Sequence, residues 1–198
     1  MKIWHLTDLH LNFGKLKIKK YPTADVVVLN GDISSKLASW LFIETLLKKG
    51  YKVILILGNH EYYNASNKNI STMLEIEQKW KEKEEKNKDF NVLINETLIV
   101  DNVRFIGTTL WTDFLDKNTE SMNDFNEEMS DSKRIYKSYK GSNYSRRGGI
   151  NINAEDVYNL HIESKKFLIN ELKKDFSGKT IVLSHHAPSF KSIAEKFK

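Results

Sequence analysis

The sequence of 198 residues contains no cysteine. This absence excludes disulfide bonds, zinc–thiolate sites and catalysis by a thiol nucleophile. Only two prolines and nine glycines occur, and no linker rich in proline, glycine or serine divides the chain. We therefore expect a single domain over residues 1–198, a length that buries a core without covalent staples.

Long hydrophobic runs are also absent. No uncharged apolar run approaches the roughly 18 residues that a membrane-spanning helix requires, and the N-terminal residues lack the apolar region and cleavage site of a secretory signal. These absences predict a cytoplasmic protein with no membrane partner. The net charge of +5 is compatible with phosphate-bearing partners but does not demonstrate them.

Short runs rich in isoleucine, valine and leucine indicate buried β-strands. They lie at 2–7, 25–30, 52–57 and 180–184, with three more short strands at 91–94, 97–101 and 103–108. Amphipathic patterns predict helices at 36–49, 69–88 and 154–176. This alternation predicts an α/β fold of mixed β-sheets packed together and flanked by helices. Residues 117–150 have no clear period, which predicts a long functional loop or a mobile insert.

Four of the predicted strands are followed directly by polar clusters. The clusters are Asp8-Leu9-His10, Gly31-Asp32, Gly58-Asn59-His60-Glu61 and His185-His186. In open α/β sheets, ligands bind just beyond the carboxyl ends of the strands. Carboxylate, imidazole and amide groups brought to one edge form a set of divalent-metal ligands. The sequence therefore indicates metal-assisted hydrolysis of a phosphoester.

In type and order, these clusters resemble the motifs of the calcineurin-like metallophosphoesterase superfamily. The family motifs are Asp-x-His, Gly-Asp, Gly-Asn-His-Asp/Glu and a strand-end histidine, and the block at 58–61 is the most specific match. The stretches 106–114, 122–124 and 184–188 are similar to a bacterial and phage branch of uncharacterised phosphoesterases. The resemblance implies a four-layer αββα arrangement.

The resemblance also implies a centre of two divalent cations bridged by Asp32. Asp8 and His10 would complete the ligands of the first cation, and Asn59 and His185 those of the second. Mixed oxygen and nitrogen ligands without sulfur suit Mn, Fe, Zn or Co better than Ca or Mg. Within the family Mn is expected, with Fe or Zn as alternatives.

The implied reaction is hydrolysis of a phosphomonoester or phosphodiester by a hydroxide that the two cations share. His60 resembles the family histidine that protonates the leaving alkoxide, a task that suits an imidazole. Glu61 is interpreted as a support residue. Trp111, with Asp113, Asn123 and Asp124, either lines the substrate rim or serves packing and helix capping.

The substrate itself is not predicted, and nucleotides and nucleic acids stay open. Six basic residues lie between Lys133 and Arg147, with three tyrosines among them. Basic groups interleaved with aromatic rings bind single-stranded nucleic acid, but a solvated loop of mixed polarity has the same composition.

One family motif is missing. No Gly-His-x-His block occurs between His185 and Lys198, so each cation would lack one further imidazole. Two interpretations stay open: a truncated form without the C-terminal strand, or an active-site remnant with weakened metal binding. The second leads to the alternative function, a catalytically silent binding module that keeps the metallophosphoesterase fold.

Overall fold

The first β-sheet of the computed structural model consists of four parallel strands. It contains β1 (Ile3–Leu6), β2 (Val26–Asn30), β3 (Lys52–Ile56) and β4 (Phe90–Leu93), side by side in chain order. The structure describes residues 1–14, 16–65, 70–139, 148–192 and 194–195. Because the strands are parallel and adjacent, the loops that follow β1, β2 and β3 meet at one edge of the sheet.

The second sheet is mixed. It contains β5 (Glu96–Val100), β6 (Val103–Thr108) and β9 (Lys179–Ser184). β5 and β6 form an antiparallel hairpin whose turn residues Asp101 and Asn102 have φ of 45° and 61°, as a two-residue hairpin turn requires. β9 pairs with β6 in parallel, so its carboxyl end lies on the same side as that of β6.

The two sheets pack face to face through an apolar layer. Val28 and Ile54 of the first sheet belong to one buried apolar cluster together with Phe105 and Leu183 of the second. The opposite face of the first sheet is covered by α1 (Trp40–Lys48) and α2 (Met73–Glu85), and these helices share a second buried cluster with it.

The outer face of the second sheet is covered by a helix from later in the chain. The long helix Ala154–Leu172 lies there, and Arg104 of β6 donates to the carbonyl groups of Glu171 (3.2 Å) and Lys174 (3.0 Å) at its end. The predicted fold class, mixed sheets packed together and flanked by helices, is confirmed. None of the helices in the described ranges has the length and apolar character needed to cross a lipid bilayer.

The stretch 117–150 contains regular structure that the sequence did not predict. In its described part lie α3 (Thr119–Glu127), α4 (Asp131–Arg134) and a hairpin of β7 (Tyr136–Tyr139) with β8 (Gly149–Asn151). α4, β7 and β8 have four residues or fewer, too few to show a period in the sequence. Buried side chains, such as Phe125 and Ile135, anchor the stretch to the core. The long helix that follows is α5 (Ala154–Leu172).

A left-handed helical turn connects β6 to α3. Four consecutive residues, Phe114–Lys117, have φ between 53° and 63°. The amides of Lys117 and Asn118 donate to the carbonyls of Asp113 (2.9 Å) and Phe114 (2.8 Å), which closes the turn. This conformation costs roughly 1–2 kcal/mol per L-residue, and such strain is concentrated at functional sites.

Leu115→Gly is expected to stabilise the protein. Leu115 is 57% exposed at φ 56°, so the change relieves backbone strain without opening a cavity. The relief of about 1–2 kcal/mol exceeds the entropic cost of glycine, about 0.5–1 kcal/mol, so the free energy of unfolding should rise by roughly 0.5–1 kcal/mol. Urea denaturation measures this free energy of unfolding. Leu41→Gly in right-handed α1, where Leu41 is 75% exposed, should instead lower it; equal losses in both variants would contradict the strain argument.

Candidate metal centre

The polar clusters of both sheets converge on one site. Backbone hydrogen bonds continue the pairing of β1 and β2 into their loops: the amide of Asp8 donates to Gly31 (3.1 Å) and that of His10 to Asp32 (2.9 Å). From the second sheet, His185 follows β9, and its ring reaches Asn30 at the end of β2. The site therefore lies where the carboxyl ends of strands from both sheets meet.

Asp32 lies at the centre of the potential ligands. Nε2 of His10 and Nε2 of His60 are each 3.8 Å from its Oδ2, and Nε2 of His185 is 3.4 Å from its Oδ1. Two groups of ligand atoms lie within 4.8 Å of one another: His10, Asp32 and His60, and Asp8, Asp32 and His185. Such separations suit atoms that each lie about 2.0–2.2 Å from a shared cation. Asp32 belongs to both groups.

The grouping by distance differs from the grouping that the family resemblance implies. The residues that the family resemblance assigns to the same cation are also neighbours. Asp8 Oδ1 is 3.9 Å from His10 Nε2, and Asn59 Oδ1 is 3.3 Å from His185 Nε2. The structure thus brings all five predicted ligands to one site. Which of them binds which cation stays a prediction.

The imidazole of His185 is oriented as a metal ligand. Its Nδ1 lies 3.0 Å from the carbonyl oxygen of Asn30, and a carbonyl only accepts, so Nδ1 carries the hydrogen. Nε2 therefore keeps its lone pair on the side of Asp32 and Asn59. Metal-binding histidines typically donate their second ring N–H in this way. The ligand set and its orientation fit a divalent cation.

Three of the potential ligands have an unusual backbone conformation. Asp8, His10 and Asp32 have φ of 53°, 44° and 55°, in the left-handed region that few non-glycine residues adopt. The tight loops they form turn each side chain back toward the strand ends. Strain of this kind, stored where ligands converge, is typical of functional sites.

Two glycines allow the loops to approach this closely. A Cβ at Gly31, which has φ of 88°, would lie 2.3 Å from Nδ1 of His185, and one at Gly58 would lie 2.3 Å from Oδ1 of Asp32. Any side chain at either position would displace a potential ligand. The glycines in the Gly-Asp and Gly-Asn-His-Glu motifs therefore have a steric role.

Glu61 joins the loops after β2 and β3. Its fully buried carboxylate accepts from the amides of Gly58 (2.7 Å), Asp32 (2.8 Å), Ile33 (2.8 Å) and Ser34 (3.2 Å). Burial raises the pKa of Glu61 to about 8, with a further contribution from the charge of Asp32, while the amide donors oppose the rise. These contacts agree with the interpretation of Glu61 as a support residue.

His60 lies beside the potential ligands on the ring of Tyr63. The two rings stack with centroids 4.3 Å apart at 25°, and the centroid of His10 is 4.5 Å from that of His60. Burial lowers the pKa of His60 below its usual value, partly opposed by the charge of Asp32. The position of Nε2 suits both a proton donor and a metal ligand, so the predicted catalytic role stays a prediction.

Two residues of the site had no sequence motif. Asp131, from α4, accepts hydrogen bonds from Nδ2 of Asn59 (2.9 Å) and from the hydroxyl of Tyr63. Asp131 belongs to the stretch without a clear period, and no pattern distinguishes it from other acidic residues. Tyr63 lies directly after a motif, but nothing in the sequence shows that its hydroxyl meets a residue 68 positions away.

A pocket of about 420 Å³ lies next to the candidate metal centre. Trp111, 5% exposed, stacks on His186 with centroids 5.5 Å apart, and Asp113 and Leu115 also line the pocket. Trp111 thus both packs in the core and borders the pocket. The other candidates for the substrate rim, Asn123 and Asp124, are exposed on α3 and do not line this pocket.

The basic and aromatic residues between 133 and 147 are described only in part, because 140–147 lie outside the described residues. Within the described part, Lys137 pairs with Asp156 (2.6 Å) and the guanidinium of Arg134 lies 4.5 Å from the ring centre of Tyr63. The charged groups of Lys137 and Arg134 are thus already engaged by other side chains of the protein. Binding of nucleic acid by this segment stays a prediction.

Comparisons with known proteins agree with the geometry of the site. A family model described as calcineurin-like phosphoesterase matches residues 1–197. Uncharacterized protein L509 of Acanthamoeba polyphaga mimivirus is 26% identical over 205 residues, which cover 94% of this chain and 68% of that protein. The crystal structure of a phosphopantetheinyl hydrolase from Mycobacterium tuberculosis is similar in fold, with a TM-score of 0.63 and 14% identity over 94% of this chain and 68% of that one.

Proposed function

Because the chain belongs to the calcineurin-like phosphoesterase family, we propose that it is a dinuclear-metal-dependent hydrolase of phosphomonoesters or phosphodiesters. The observation that carries this proposal is the position of Asp32, which both groups of potential ligands share. A shared carboxylate is what two neighbouring cations require, since one ligand must bridge them.

The proposed cation ligands are Asp32, Asp8, His10, Asn59 and His185, with Mn²⁺ expected and Fe or Zn as alternatives. When bound, the two cations would supply a water of lowered pKa and positive charge facing the phosphate oxygens. The side chains of the protein orient these groups.

The remaining steps belong to residues around the ligands. His60 would hold a proton at Nε2 and deliver it to the leaving alkoxide. The pocket beside Trp111 and His186 would receive the alcohol part of the ester, with the apolar side chains Phe114 and Leu115 excluding water. A flat or apolar alcohol group suits this lining best.

Elemental analysis and hydrolysis assays test the proposal together. Protein purified without chelator should carry Mn, Fe or Zn, and Mn²⁺ should support hydrolysis of p-nitrophenyl phosphate or bis-p-nitrophenyl phosphate. EDTA should abolish the activity, and added Mn²⁺ should restore it. Protein that takes up no metal and hydrolyses neither ester would overturn the proposal in favour of the alternative, a silent binding module.

A further inference from the structure

The carboxylate of Asp131 is buried, and it accepts hydrogen bonds from two residues of the candidate metal centre. It is 4% exposed, and one oxygen, Oδ1, accepts both from Nδ2 of Asn59 (2.9 Å) and from the hydroxyl of Tyr63. A buried carboxylate is costly unless it is hydrogen-bonded, so these two donors account for its presence there. α4, which carries it, lies outside every motif of the site.

The contact with Asn59 determines which amide atom faces the cations. Oδ1 of Asp131 accepts a hydrogen bond, and only the NH₂ group of the Asn59 amide can donate one, so the amide nitrogen faces Asp131. Oδ1 of Asn59 is thereby left on the opposite side, 3.3 Å from Nε2 of His185. Without the acceptor at 131, the amide could rotate and present its NH₂ group, which cannot bind a cation.

The contact with Tyr63 acts on the other side of the site. The ring of Tyr63 lies between the guanidinium of Arg134, 4.5 Å from its centre, and the imidazole of His60, 4.3 Å away. The hydroxyl of Tyr63 donates a hydrogen bond to Oδ1 of Asp131 at the far end of the ring. The orientation of the Tyr63 ring, and with it the surface on which His60 rests, therefore depends on Asp131.

We infer that Asp131 is a positioning residue that orients the amide oxygen of Asn59 toward the cations and, through Tyr63, the ring of His60. Its effect on turnover rests on the proposed function. Its effect on the Asn59 amide does not, because the two hydrogen bonds to Asp131 join only side chains of the protein.

The substitutions Asp131→Leu and Asp131→Asn separate the hydrogen-bond acceptor from mere filling of space. Leucine removes the acceptor, and we expect Mn²⁺ affinity or kcat to fall about 10–100-fold. This is the usual cost of losing a side chain that hydrogen-bonds to a metal ligand. Asparagine keeps an oxygen at the position of Oδ1, so Asp131→Asn should restore most of both. The matched control is Asp175→Leu, an exposed aspartate far from the site, which should behave as wild type.

Spectroscopy of the metal-free protein tests the orientation independently of catalysis. In ¹⁵N-correlated spectra, the side-chain NH₂ of Asn59 should shift in Asp131→Leu and keep its wild-type position in Asp175→Leu. If it shifts but the wild type hydrolyses no ester, the positioning role stands and the proposed function fails. If it does not shift, or if Asp131→Asn loses as much Mn²⁺ affinity as Asp131→Leu, the inference is wrong.

Tyr63→Phe provides a second test if Asp131→Leu does not fold. Phenylalanine keeps the ring beneath His60 and removes the hydrogen bond to Asp131, together with the longer hydrogen bond that the Tyr63 hydroxyl accepts from Nδ2 of Asn59 (3.4 Å). We expect normal Mn²⁺ content, because the shorter hydrogen bond from Asn59 to Asp131 (2.9 Å) remains, and a lower kcat for esters with poor leaving groups. Wild-type kcat in this variant would overturn the His60 part of the inference, and lost Mn²⁺ would overturn the separation of the two contacts.

Discussion

Asp32→Asn is expected to reduce Mn²⁺ binding at both cation sites, whereas Asp8→Asn should reduce it mainly at one. Asp32 is the residue common to both groups of potential ligands, and an amide has neither the charge nor the second oxygen that bridging requires. Loss of an outer-shell partner alone costs about 10–100-fold in metal affinity, so the loss of the bridge should exceed roughly 100-fold. Equilibrium dialysis against Mn²⁺ followed by elemental analysis measures the bound metal per chain.

The control for this experiment is Asp175→Asn, which removes the same charge at an exposed position. Circular dichroism establishes that the Asp32 variant is folded, because Oδ1 of Asp32 also accepts from the amide of His60 (2.9 Å). If folded Asp32→Asn and wild type bind the same amount of Mn²⁺ in one dialysis, Asp32 is not the bridge.

His60→Ala is expected to lower turnover of esters with poor leaving groups by about 10²–10⁴-fold, the usual contribution of general acid catalysis. An alkoxide needs a proton as it leaves, and Nε2 of His60, near Asp32, is placed to give one. p-Nitrophenolate needs little protonation, so with p-nitrophenyl phosphate the loss should be much smaller. The measurement is kcat for both ester types, alongside the Mn content of each preparation.

Metal content distinguishes the two roles that the position of His60 allows. If His60 is a proton donor, its removal leaves Mn binding near normal. If His60 binds a cation together with His10 and Asp32, its removal lowers Mn binding. His5→Ala, an exposed histidine on β1, is the matched control and should change neither quantity. Equal losses for both ester types would show that His60 does something other than protonate the leaving group.

The strands and their polar ends could be predicted because both are encoded over a few neighbouring residues. Val26 to Leu29 form a continuous apolar run, and such a run indicates a strand buried on both faces. The ligand types follow these runs directly in the sequence. Parallel pairing then dictates that the ends of neighbouring strands meet, so the convergence of Asp8, Asp32 and Asn59 followed from the order of elements.

Contacts between distant parts of the chain could not be predicted in the same way. The mixed polarity of the helix around His161 predicts a surface position for this residue, yet its Nδ1 lies 3.0 Å from the carbonyl oxygen of Leu110. The hydrogen bond between Asp131 and Asn59 joins residues 72 positions apart, and short elements such as α4 have too few residues to show a period.

The sequence by itself therefore determined the fold class, the family and the chemical groups of the candidate site. Each of these is written in local composition: apolar runs that form strands, and ligand types placed at their ends. Only the tertiary structure decided the left-handed turn at Phe114–Lys117, the pocket beside Trp111, and the contacts of Asp131 that orient Asn59 and Tyr63. These features arise when packing of the whole chain closes long loops and holds strained or buried polar groups that no local preference would select.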